Sequence, residues 1–210
     1  MNLLRYKRLT TPKIISRLWK QTTLLYNRKI LVYIQNQMIK RKYNMNYADI
    51  KYPDIQDGTG IRIAIYVSGC HFHCPECHNK MAWNPKYGKE FTDETIDRVL
   101  ELCKAEHIVG LSILGGEPMH PDNIEGTTKL AKKFKEEFPN KTIWSWTGFT
   151  FEGIKDKEVF NYIDVLVDGQ FRKELFDPRL HFKGSSNQRV IDIKKSLKKD
   201  EIVLYEEEEY

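Results

Sequence analysis

Residues 62–78 read RIAIYVSGCHFHCPECH, a run in which an apolar strand ends directly in a loop crowded with metal-binding side chains. Residues 62–68 are β-branched and aromatic and are bounded by Gly60 and Gly69, which predicts a strand. Downstream the pattern alternates. Within residues 92–106, Ile96, Val99, Leu100 and Cys103 recur at helical spacing, with Thr92 as N-cap and Asp93 and Glu94 in the first turn. Residues 109–114 read as a second strand ending in Gly115-Gly116, 121–138 as a second helix and 141–146 as a third strand. A short helix over 152–161, a fourth strand over 162–167 and one more within 188–197 complete the series. Strand–helix alternation of this kind predicts parallel βαβ units, hence an α/β fold. The Gly-rich turns follow strands, where such sheets place their active sites.

Charge divides the 210-residue chain. Residues 1–44 hold eleven Lys or Arg and no acidic residue, and the remainder carries 23 basic against 29 acidic residues. The net charge of +5 therefore comes from the head alone, and no nucleic-acid footprint is expected on the body. The expected organisation is a basic extension over 1–44, a single domain over 45–197 and a charged tail over 198–210. The head is open to three readings: a partner- or nucleic-acid-binding arm, an organelle presequence, or an untranslated stretch upstream of a true start at Met45. Its longest charge-free stretch, residues 30–39, is far short of the roughly 20 apolar residues that a membrane span needs. No membrane partner is expected, and reduced thiols without an export signal predict a cytoplasmic location.

Three of the four cysteines, Cys70, Cys74 and Cys77, fall in one loop at C-x₃-C-x₂-C spacing. That is metal-ligand crowding rather than a disulfide framework. Cubane iron–sulfur clusters ordinarily take four cysteines, and no fourth lies near, since Cys103 belongs to the apolar face of a helix. Three ligands would leave one iron open for a substrate. The competing arrangement is a structural zinc site with His71, His73 or His78 as its fourth ligand. Gly115-Gly116-Glu117-Pro118 adds a turn where backbone can approach a ligand and a carboxylate can meet a cation.

The cysteine loop after the first strand resembles that of radical S-adenosylmethionine enzymes, and further motifs narrow the likeness. Asp57-Gly58-Thr59-Gly60-Ile61-Arg62 is similar to the entry motif of glycyl-radical activating enzymes. Trp144-Ser145-Trp146-Thr147-Gly148-Phe149, residues 165–171 and residues 184–189 resemble segments of the activases of anaerobic ribonucleotide reductase. The resemblance implies an incomplete (βα) barrel with one [4Fe–4S] cluster per chain, bound by Cys70, Cys74 and Cys77. It implies S-adenosylmethionine at the open iron, lined by Glu76, Cys77, His78 and Gly116, with Glu117 near its amino group. Many members carry an aromatic residue where this chain has Glu76. The implied activity is reductive cleavage of S-adenosylmethionine to a 5′-deoxyadenosyl radical that creates a glycyl radical. The implied partners are the large subunit of anaerobic ribonucleoside-triphosphate reductase and a one-electron donor such as flavodoxin. An activase for another glycyl-radical enzyme, such as pyruvate formate-lyase, is the nearest alternative.

Smaller features carry their own expectations. Trp144 and Trp146 share one strand face and are read as packing residues. Asp168-Gly169 either orients cofactor hydroxyls or ends a strand, and residues 184–187 offer backbone donors resembling an anion nest.

Overall fold

A computed structural model describes residues 42–206 of the chain, so all but the last three residues of the basic extension lie outside the described part. Four strands form the parallel centre of one sheet: β2 (Arg62–Val67), β4 (Gly110–Gly115), β5 (Thr142–Trp146) and β6 (Val165–Asp168). Three further strands, β1 (Lys42–Asp54), β3 (Lys89–Thr92) and β7 (Arg189–Asp192), pair antiparallel, giving the order β3-β1-β2-β4-β5-β6-β7. The sheet is open, and its helices are α1 (Asp93–Cys103), α2 (Ile124–Glu137), α3 (Phe151–Ile154) and α4 (Ile193–Lys199). The α/β expectation holds.

Burial explains the helical faces. Ile96, Val99, Leu100 and Cys103 of α1 and Leu130, Ala131 and Phe134 of α2 enter the same core as Ile63, Ile65 and Ile113 of the central strands. The N–H of Thr92 donates to Thr95 Oγ1 at 3.2 Å, fixing the start of α1 where the sequence placed it.

Several boundaries differ from expectation. Strand β1 spans residues that the sequence punctuates with Asp49 and Pro53-Asp54, and it begins at Lys42, before Met45. Its signal was the alternation of Tyr43, Met45 and Tyr47, all buried, with more exposed residues between them. Helix α2 starts at Ile124 rather than 121, because the preceding turn is pinned by buried Asn123, whose amide donates to the carbonyls of Ser68 and Glu117 at 2.9 Å each. The expected helix over 152–161 is split into α3 and a 3₁₀ turn, Glu158–Asn161. The strand expected within 188–197 stops at Asp192, whose carboxylate accepts from Lys195 N–H at 2.9 Å and caps α4. Beyond α4, Leu204 bridges back to Ile191 and Tyr205 packs on Trp144 at 5.0 Å, so these residues pair with the domain rather than trailing from it.

Arg62 gives the entry motif a structural meaning. It is fully buried, and its guanidinium donates five bonds of 2.8–3.1 Å, to Ser112 Oγ, Thr142 Oγ1 and the carbonyls of Thr59, Leu111 and Thr142. All five acceptors are neutral, and burial pulls the guanidinium down to about 10. A Cβ at Gly110 would sit 2.2 Å from the Thr142 carbonyl oxygen and 2.5 Å from the guanidinium, so a glycine there is what lets the arginine thread across three strands.

Candidate functional site

The site lies at the carboxyl ends of the parallel strands. After β2 the chain turns at Gly69, with φ of +92°, whose N–H donates to the Ala82 carbonyl at 2.7 Å. The N–H of Cys70 donates to the Trp83 carbonyl at 3.2 Å, so the 3₁₀ turn Lys80–Trp83 straps the base of the cysteine loop. His73 and Glu76, the residues just before Cys74 and Cys77, both adopt left-handed conformations with φ of 46° and 57°. These turns fold the loop back on itself, and all three cysteines line one cavity of about 710 Å³. Each is a half-buried free thiol, and burial pushes the Cys70 thiol above its ordinary value. Cys103 is different: it is fully buried in the core, where desolvation raises its thiol to about 12.

The second turn is fused to the first. Gly116 N–H donates to Val67 O at 2.7 Å, and Glu117 N–H to Gly69 O at 2.9 Å. A Cβ on Gly116 would meet the carbonyl oxygens of Gly69 at 2.7 Å and Ala82 at 3.0 Å, both of them backbone atoms that cannot swing aside. Gly116→Ala is therefore expected to push the two turns apart, lowering the melting temperature and loosening whatever the cavity binds. Calorimetry and ligand titration of the variant check this, and an unchanged melt would contradict it.

Glu117 is buried at the cavity wall. Oε1 accepts from Met119 N–H at 2.9 Å and from the Thr147 hydroxyl at 2.7 Å, and Oε2 accepts from Gly148 N–H at 2.8 Å. Desolvation outweighs these three donors and holds the carboxyl up at about 7. A carboxyl raised in the folded state stabilises the fold while it stays protonated, and that contribution is lost as pH rises from about 4.5 towards 7. The stability of the parent relative to Glu117→Gln is thus expected to be greatest below pH 4.5 and to shrink as pH rises to 7, as read by paired thermal melts. A constant difference would refute the assignment.

All seven residues expected from the sequence, Cys70, Cys74, Glu76, Cys77, His78, Gly116 and Glu117, line this cavity. Glu76 is exposed and pairs with Lys173 of the 170–187 segment. Sequence reasoning missed Asp57, Tyr66, Asn79, Trp83, Phe171 and Phe182, which come from separate elements and also line the wall. Of these, Tyr66 donates its hydroxyl to Asp57.

Other expectations resolve as packing. Trp144 is buried against Trp146, and the Trp146 indole donates to Phe182 O at 2.8 Å. The nest reading of 184–187 gives way, because the N–H groups of Gly184 and Ser185 already donate to Gln188 Oε1 at 2.9 and 3.1 Å. Asp168 accepts from Phe151 N–H at 2.8 Å and pairs with Arg189, which also grips Glu152 and holds that carboxyl down at about 2. These contacts brace the end of β6, beside Gly169 on the cavity wall.

The donor set suits an iron–sulfur group. Three soft thiols line one cavity, and among the described residues no three His, Cys, Asp or Glu side chains are grouped to hold a single metal ion. A cubane spreads its ligands over separate irons, so its cysteines need not meet at one point. A family profile described as "4Fe-4S single cluster domain" matches residues 56–191, a span that contains the whole cysteine loop and the Gly115–Glu117 turn. The chain is 39% identical over 146 residues to the anaerobic ribonucleoside-triphosphate reductase-activating protein of Enterobacteria phage T4, covering 70% of this chain and 93% of that protein. It is 40% identical over 150 residues to the protein of the same name from Vibrio cholerae serotype O1, at 70% and 97% coverage. For that of Escherichia coli strain K12 the identity is 39% over 150 residues, with the same coverage.

The chain belongs to the anaerobic ribonucleoside-triphosphate reductase-activating protein family.

In this member of the activating-protein family, Gly148 and Gly169 line both the cysteine cavity and a second, polar hollow of about 670 Å³. No helix among the described residues is long and apolar enough to cross a membrane.

Proposed function

We propose that this chain is a radical S-adenosylmethionine activase that generates the glycyl radical of an anaerobic ribonucleoside-triphosphate reductase. The observation that carries the reading is the convergence of Cys70, Cys74 and Cys77 with Gly115, Gly116 and Glu117 on one cavity. The three thiolates would hold one [4Fe–4S] cluster, with one iron left for S-adenosylmethionine. When bound, these groups supply one-electron cleavage of the sulfonium to methionine and a 5′-deoxyadenosyl radical, which takes a hydrogen atom from the partner's glycine.

The chain's own residues bind and orient. Gly116 brings backbone against the cavity, and Glu76, Cys77 and His78 would flank the amino-acid end of S-adenosylmethionine. An ionised carboxylate has about four acceptor positions. Three on Glu117 are taken within the protein, which leaves one for an ammonium. A cation there would offset the desolvation that holds this carboxyl high. The open sheet would then be the partial (βα) barrel of the superfamily. The proposed setting is cytoplasmic, with the large reductase subunit as partner and a flavodoxin-type electron donor.

The test is anaerobic reconstitution, iron and sulfide analysis, and an assay for methionine and 5′-deoxyadenosine, followed by electron paramagnetic resonance after mixing with the reductase. A brown protein that cleaves S-adenosylmethionine and gives a glycyl signal is expected. A colourless protein with stoichiometric zinc would overturn the reading.

A further inference from the structure

Two segments border the cysteine cavity besides the loop itself. Residues 78–89 supply His78, Asn79, Trp83 and Tyr87 to its wall, and residues 170–187 supply Phe171, Phe182 and Gly184. Their charge runs against that of the domain. Residues 78–89 carry three lysines and no acidic residue, and residues 170–187 carry four basic residues against two acidic. Residues 45–210 as a whole hold 23 basic against 29 acidic. Arg172 is exposed, and among the described residues its guanidinium has no partner.

The apolar residues of the 170–187 segment divide into two sets. Phe171 lies against Gly184, where a Cβ would come within 3.0 Å of its ring, and the Phe182 ring packs on Trp144 at 4.8 Å. Leu175 and Phe176 stay 37% and 51% exposed. Their backbone is nonetheless fixed. Leu175 N–H donates to Arg172 O and Phe176 N–H to Lys173 O, both at 3.1 Å, and Leu175 O accepts from Ser186 N–H at 2.9 Å. A bridge from Phe176 to buried Ser185 completes the brace. An aliphatic and an aromatic side chain held in water on a pinned backbone form a preorganised anchor, which spares a partner the cost of ordering them. Other exposed large hydrophobics, Tyr52, Ile55, Ile61 and Val109, lie at the amino ends of the strands, away from the cavity.

We propose that Leu175 and Phe176, with Arg172 close by in the chain, seat the large reductase subunit through an apolar patch edged by carboxylates. The inference rests on the function proposed above and gives its partner a place to dock. A partner whose glycine must reach the cavity comes in over the segments that border it. Carboxylates on that partner are repelled by the acidic body and drawn to these basic segments, which sets orientation as well as the rate of encounter.

The test uses the reconstituted full chain and the large reductase subunit, with affinity read by anaerobic titration. Phe176→Ser is expected to weaken binding about thirtyfold, as loss of an aromatic anchor does. Arg172→Glu is expected to slow association and to flatten its salt dependence. Both variants are expected to keep the parent's iron content and its S-adenosylmethionine cleavage with a chemical reductant. Ile55→Ser removes an equally exposed side chain at the other end of the sheet and is expected to bind as the parent does. Parent-like binding by Phe176→Ser overturns the proposal, as does an equal loss in Ile55→Ser. Should Phe176→Ser fail to fold, an Arg172→Glu variant with parental association kinetics overturns it. A parent chain that self-associates through Phe176, and binds the reductase no less tightly once that residue is replaced, assigns the face to a second copy and overturns it too. A parent that cleaves S-adenosylmethionine yet does not bind the reductase is a distinct result, which removes the partner and this inference while the cluster chemistry stands.

Discussion

Replacing any one of Cys70, Cys74 or Cys77 with alanine is expected to abolish loading of an iron–sulfur cluster while leaving the fold of the apo chain intact. The three thiols are half-buried on a loop, form no disulfide, and lie outside the hydrophobic core. Substitutions at such positions usually shift stability by no more than about 0.5 kcal/mol. Removing one of three ligands leaves a cubane with two, far below its normal complement. Cys103→Ala should do the reverse, keeping the iron but costing about 1 kcal/mol through a small void in the core. Iron per chain, visible absorbance and thermal melts of the four variants separate the two roles. Full loading of Cys74→Ala, or loss of iron in Cys103→Ala, would break the assignment.

The second large effect belongs to Arg62. Arg62→Ala is expected to destabilise the chain by about 3–5 kcal/mol, because it strips five neutral acceptors of their donor inside the sheet. For a domain of this size that is a fall of roughly 10 °C in melting temperature. Arg62→Lys should recover little of it, since an ammonium offers three donors at a point and cannot serve acceptors spread across three strands. The void beneath Gly58 and Trp144 would also remain part-filled. Denaturant titration of both variants is the measurement; a lysine variant as stable as the parent would refute the role of the planar fork.

Arg62 also marks how far the sequence could be read. As a motif it signalled family, but its physical task depends on Thr142, 80 residues away, and no local pattern carries that. The cysteine loop and the Gly115-Gly116-Glu117 turn were legible because their chemistry is written in adjacent residues. The parallel strands were legible because burial on both faces leaves unbroken apolar runs, as in Val165, Leu166 and Val167. Strand β1 was not, since Asp49 and Pro53 look like turn residues and a strand near a sheet edge tolerates them. The donors of residues 184–187 were correctly seen as a cluster, but their acceptor is Gln188 from the same loop, a satisfaction that only folded geometry reveals.

The Glu117 carboxylate clasps Thr147 and Gly148 after β5, while its own N–H holds Gly69 after β2. Across the cavity, the 170–187 segment meets the cysteine loop through an exposed Lys173–Glu76 pair and a 3.3 Å bond from Gln170 to Phe72 O, contacts worth little in water. The mouth thus has a fixed jamb on one side and a lightly latched door on the other. Parting the segment from the cysteine loop would break only those two contacts, while the Trp146 indole bond to Phe182 O keeps its other side on β5.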